Sequence, residues 1–152
     1  MKNQITLTFP DNSTRVYTSG TTLLEVAESI GTRLAKDAVA AKINGKLTDL
    51  TESINTDADI NIVTGDTSEG HEVLLHSTAH LMAQAVKELF PNARVTIGPA
   101  IENRFYYDFD VENPFTDEDL VTIEEKMREL AQNNYPVKRK IFSKDEAIDL
   151  FK

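Results

Sequence analysis

Hydrophobic and polar residues alternate with period two over residues 5–9, "ITLTF", and again over 15–18, "RVYT". "PDNS" at 10–13 lies between them and is turn chemistry, so the pattern predicts a β-hairpin. The period then changes. Leu23, Val26, Ala27 and Ile30 recur at helical spacing behind Thr22 and Glu25. That pair has the spacing of a capping box, in which each side chain satisfies an otherwise orphaned backbone N–H. Gly31 stands where a C′ glycine ends a helix. "AVAAKI" (38–43) and "KLTDL" (46–50) flank Asn44-Gly45, a second hairpin signal. "ADINIVT" (58–64) reads as a last strand, with Ile60 and Ile62 on one face. The order β-β-α-β-β-β, with one helix covering a small sheet, is that of a ubiquitin-like β-grasp over residues 1–64.

"GDTSEG" (65–70) is a polar, glycine-bounded break and reads as a linker. Beyond it the spacing predicts a helix over about 69–90. Leu75, Ala79, Met82, Val86 and Leu89 form its core stripe, and Pro91 stops it. "RVTIGPAIENRFYYDFD" (94–110) is strand-like on both sides of Gly98-Pro99. Thr116 can cap a third helix with Leu120, Ile123, Met127 and Leu130 as its stripe, ending before Pro136. "VKRKIF" (137–142) reads as a strand, and Ser143 with Glu146 starts another capped helix. Few residues follow that cap, and short helices are marginal without packing. The pattern therefore predicts that residues 71–152 are an incomplete domain and the chain a fragment. The alternative is a terminal helix docked on its own domain. The fold class expected is α+β.

Composition narrows the chemistry. At 40% hydrophobic and 27% charged, the 152 residues have the make-up of a soluble globular protein. No apolar run approaches the ~20 residues a membrane helix needs. The opening residues alternate and turn, unlike a signal peptide. The absence of cysteine excludes disulfides, thiolate metal sites and a cysteine nucleophile within these residues, and fits a reducing, cytoplasmic setting. Sixteen basic against 25 acidic residues give a net charge of −9, which does not steer the chain toward nucleic acid.

"LLHSTAH" (74–80) carries two of the three histidines. Residues i and i+4 share one face of a helix, so His76 and His80 point the same way, on the flank of the stripe, with Lys87 further along. Two imidazoles so placed can bind a metal, orient a water or exchange protons with a substrate. They can equally be a structural or solvent-facing pair. Two nitrogens make half a tetrahedral zinc site, and position 77 is serine, so the glutamate of an HExxH motif is missing. No metal site is expected. Tyr106 and Tyr107 point to opposite faces if they lie on a strand, one toward a core and one with its hydroxyl free for a pocket. Asp108 and Asp110 read as a solvated edge. "VKRK" (137–140) can touch phosphates or protect an edge strand.

Taken together these residues resemble a known family. "MKNQITLTFPDNSTRVY" with "LLEVAESIGTRLAKDAVAAKINGKLTDL" looks like a TGS domain, the β-grasp module of threonyl-tRNA synthetases and some GTP-binding and stringent-response proteins. "EGHEVLLHSTAHLMAQAVKELFPNARVTIGPAIENRFYYDFD" is similar to the start of the editing domain of bacterial threonyl-tRNA synthetases, with the HxxxH, IGP and FYYD elements in the family's order. The resemblance implies a truncated editing domain over 71–152 that removes serine wrongly attached to the threonine tRNA. It assigns His76, His80 and Tyr107 to catalysis and Gly98 to the substrate pocket. It implies a parent enzyme that uses ATP, Mg and Zn in a catalytic core outside these residues, binds tRNA(Thr) and forms a homodimer. No cofactor is expected in this chain, which could itself be monomeric. The family's downstream Lys, Asp and Cys-x-x-x-His elements have no counterpart here, so neither aminoacylation nor complete editing is expected of the chain alone. Arg104 stands where the family favours a small residue. The rival readings are a standalone TGS-type module that binds RNA or protein, and a metal-dependent hydrolase.

Overall fold

The computed structural model describes residues 3–137 and 140–150. The first hairpin forms as expected. β1 (Gln4–Thr8) pairs antiparallel with β2 (Thr14–Thr18), and Asp11 closes the turn by accepting the Ser13 amide and hydroxyl. Ile5 and Leu7 of β1 point inward and are almost fully buried. The β3 (Thr21–Thr22) bridge leads into α1 (Leu23–Ile30), whose capping box joins the Glu25 amide to the Thr22 hydroxyl at 3.2 Å and the Thr22 amide to Glu25 Oε2 at 2.8 Å.

Gly31 departs from expectation. Its φ of 175° is extended backbone, and it joins α1 to a second short helix, α2 (Thr32–Asp37). Its amide donates to the Ala27 carbonyl while its own carbonyl accepts the Ala35 amide. No residue of α2 is buried, so it has no apolar stripe for periodicity to detect. β4 (Ala38–Ile43) and β5 (Lys46–Thr48) form the second hairpin through Asn44-Gly45, both at positive φ. β6 (Ser53–Ile54) pairs with β3, a two-residue bridge too short to leave an alternation in the sequence. β7 (Ala58–Thr64) completes a sheet of order β2-β1-β7-β4-β5, in which only β1 and β7 run parallel. Leu23 and Val26 of α1 pack on Ile5, Leu7, Ala41, Ile54 and Ile60, a β-grasp core.

After β7 the chain turns through Gly65–Asp66–Thr67 and enters α3 (Ser68–Leu89), so half of the expected linker is the first turn of the long helix. Its buried residues are Gly70, Ala79, Ala83, Ala85 and Val86; Leu75, Met82 and Leu89 are half-buried. The packed face is thus rotated toward the alanines, which allow α4 (Asp117–Gln132) to approach closely. Ile123 and Leu130 of α4 meet Ala85 and Val86, with Met127 beside them. Leu120 does not join this core and is 55% exposed; the ring of Phe115 packs at a tilt against Phe90 at the end of α3 instead.

Residues 94–110 form a broken hairpin. β8 (Arg94–Val95) pairs with β11 (Phe109–Asp110), and β9 (Ala100–Ile101) with β10 (Arg104–Phe105). The expected strand over 137–142 is not found: residues 138 and 139 lie outside the described residues, and Val137 and 140–142 are irregular. α5 (Lys144–Leu150) follows its predicted cap, with the Ser143 amide donating to Glu146 Oε2 at 2.8 Å, and none of its residues is buried. Among the described residues no helix is long and apolar enough to cross a membrane.

Candidate functional site

α3 carries the histidine pair because its N-cap and its core face fix its rotation. Thr67 caps it, Ala79 and Ala83 face the interior, and His76 and His80 therefore emerge on an exposed flank. Their rings meet edge to face with centroids 4.5 Å apart, and the two Nε2 atoms are 3.0 Å apart. Such a contact needs one Nε2 to carry a proton and the other a lone pair. The arrangement therefore offers a proton acceptor and a donor on one turn of helix. Lys87 does not turn back toward them: its ammonium donates to the carbonyls of Pro91 and Ala93, closing the C-terminal end of α3.

His76 borders an open cleft of 480 Å³ shared with Glu69, Glu72, Val73 and Ser77 of α3, Pro99 and Ala100 of the broken hairpin, and Leu47 of β5. Glu69, Glu72 and Val73 precede His76 at helical spacing, which the sequence makes legible, and Ser77 is its chain neighbour. Leu47 was not, because nothing in a local pattern joins residues so far apart in the chain.

Gly98 and Tyr107 face each other. A Cβ on Gly98 would lie 2.0 Å from a Tyr107 ring carbon, so the flat ring rests directly on the glycine backbone. Tyr107 stacks on Phe109 with centroids 4.9 Å apart, and Phe109 meets Phe115 edge to face, which anchors the row in the second core. Tyr106 points the other way and is 47% exposed. The two arms of the hairpin are tied together here by Thr96, whose amide and hydroxyl both donate to the Asp108 carbonyl, and by the Asp108 amide, which donates to the Ile97 carbonyl. The structure thus brings His76 to His80 and Gly98 to Tyr107, and Pro99 connects the second pair to the cleft at His76. Asp110 pairs with Arg94 at 3.5 Å. Arg104 is exposed on β10 and is not among the residues lining the cleft. Among the described residues no group of three or more His, Asp or Glu side chains is placed to hold a metal ion.

Comparison with known proteins gives this geometry a context. Residues 5–64 match the family model described as the TGS domain. The chain is 53% identical over 143 residues to the threonine–tRNA ligase of Nitrosomonas europaea, a match covering 94% of the chain and 22% of that protein. It is 54% identical over 145 residues to the ligase of Marinobacter nauticus, covering 95% of the chain and 23% of the relative. With the ligase of Citrifermentans bemidjiense it shares 53% over 150 residues, 99% of the chain and 24% of the relative. The chain spans less than a quarter of the length of these relatives. At this level of identity, sustained from the β-grasp sheet through the histidine helix, the chain is similar over nearly its whole length to one part of threonine–tRNA ligases, and it carries a TGS domain at residues 5–64.

Proposed function

We propose that this chain serves a threonine–tRNA ligase as its TGS domain, residues 1–64, together with part of its editing domain, residues 71–152. In this reading the histidine pair helps hydrolyse serine from mischarged Ser-tRNA(Thr). The need for such a step is physical. Serine lacks one methyl of threonine, and a missing methyl is worth only about 1–3 kcal/mol of discrimination in a binding pocket. A second, hydrolytic site removes the error. Water adds to the ester carbonyl, the bond to the ribose oxygen breaks, and that oxygen leaves with a proton. One imidazole accepts the proton of the attacking water or orients it, and the other holds the terminal ribose. Gly98, with no side chain, lets the Tyr107 ring pack on its backbone, and in this reading the two together border the substrate pocket.

The observation that carries this reading is the 3.0 Å Nε2–Nε2 contact on a solvent-open flank of α3, within a segment about half identical to threonine–tRNA ligases. The similarity continues well past residue 64, which favours it over a standalone TGS-type binding module. ATP, Mg and Zn belong to the aminoacylating core of the whole enzyme, tRNA(Thr) is its partner, and a cytoplasmic homodimer is the proposed assembly. The test is His80→Ala in a full-length ligase carrying these residues. Hydrolysis of Ser-tRNA(Thr) is expected to fall about 100-fold or more, the range lost with a general acid or base, while threonylation is unchanged. Retention of both activities would refute the assignment.

A further inference from the structure

The β-grasp unit runs into the histidine helix through Gly65, Asp66 and Thr67, a composition that reads as a flexible tether. The geometry is the opposite of flexible. The Thr64 carbonyl accepts the Thr67 amide at 3.1 Å and the Thr67 hydroxyl at 2.8 Å. The Thr67 hydroxyl in turn accepts the Gly70 amide at 3.1 Å, and the Thr64 hydroxyl donates to Asp66. Gly70 is buried, and a Cβ there would lie 2.0 Å from the Thr64 carbonyl oxygen. Glycine at 70 serves the close approach of helix to strand. It does not loosen the chain. Two further contacts hold the helix from other directions: Lys42 on β4 reaches Glu69 at 2.6 Å, and Leu74 lies against Gly65. Contacts at 64–70, at Lys42 and at Leu74 engage successive turns of α3, so together they oppose its swinging away from the sheet.

We infer that residues 64–74 form a rigid joint that holds the β-grasp unit against the histidine helix, and that Leu47 of the β-grasp unit thereby closes one side of the cleft at His76. The β-grasp unit is then a positioning part of that site. This deepens the editing reading and rests on it only for what enters the cleft.

The chain has no cysteine, so Leu47→Cys supplies a single thiol for a nitroxide label. Leu47 is 44% exposed, which leaves room for the label. In the folded chain the amide NMR signals of Val73, His76, Ser77 and Ala100 are expected to broaden strongly and to recover when the nitroxide is reduced. Adding Gly70→Ala should weaken that broadening several-fold while signals within the β-grasp sheet, such as Ile60, stay unchanged. Lys42→Glu, which keeps every glycine and sets like charges together at Glu69, should give a smaller loss of the same sign. Weak broadening before any further substitution overturns the joint, as does broadening that neither change reduces. No hydrolysis is measured, so a failed joint and a failed editing assignment are told apart.

Discussion

His76 and His80 touch because one helical turn separates them and because Ala79 and Ala83 turn the other side of α3 inward. Their shared flank was legible from spacing alone; their direct contact was not, since it depends on side-chain rotamers. The role of Gly98 was only half legible. Gly-Pro suggested a turn, yet the stronger constraint is the Tyr107 ring resting on it. Gly98→Ala must displace that ring from Phe109 and is expected to cost about 1–3 kcal/mol, the range for overpacking, read as a lower urea midpoint. Glu102 has the opposite problem. It sits at φ 54° in the β9–β10 turn, a left-handed conformation unfavourable for a side chain of its kind. Glu102→Gly is expected to raise stability by up to about 1 kcal/mol in the same assay. A loss of stability would show that the Glu102 side chain makes up for its backbone.

Elements with a clear period or cap were readable. These were the two hairpins of the first half, α1, α3, α4 and α5. Those that escaped were the two-residue strands β3 and β6 and the helix α2, which lack the length or the buried face that makes a period. Caps also set a pH dependence. Hydrogen bonds from the Thr22 amide, then its hydroxyl, hold the Glu25 carboxyl below the ordinary glutamate range. Gln84, then Lys126, do the same for Glu88 on the α3–α4 seam. A depressed acid stabilises the fold fully above its ordinary range and loses that contribution as pH falls through the lowered value. Lys126, raised by Glu129 and then Glu88, contributes fully below the ordinary lysine range and loses this as pH rises through its raised value. The urea midpoint should therefore fall on the acid side, and Glu25→Gln with Glu88→Gln should flatten that limb. An unchanged acid limb in the double variant would contradict this. Thr22→Ala, which removes the hydroxyl half of the α1 cap, is expected to cost about 1 kcal/mol at neutral pH.

At the scale of the molecule the described residues form two cores with no residue in common, one beneath the β-grasp sheet and one between α3 and α4. A change of pattern near residue 65 was legible in the sequence and falls between them. How closely the two units are joined was not, because the relevant contacts involve a missing Cβ and a lysine from another strand. Separate cores predict separable unfolding. Ile123→Ala, expected to cost about 2–5 kcal/mol, should lose amide-exchange protection in α3 and α4 while β1 and β7 keep theirs. Loss of protection throughout would mean that the cores fold as one. In the proposed function the two imidazoles act together on a tRNA-borne ester. Groups that work as a unit are non-additive when removed. The direct measurement is the rate of Ser-tRNA(Thr) hydrolysis by a full-length ligase bearing His76→Ala, His80→Ala and both. Each single change is expected to remove most of the rate, and the double change little more. Independent, multiplying losses, or no loss from either, would contradict this joint action.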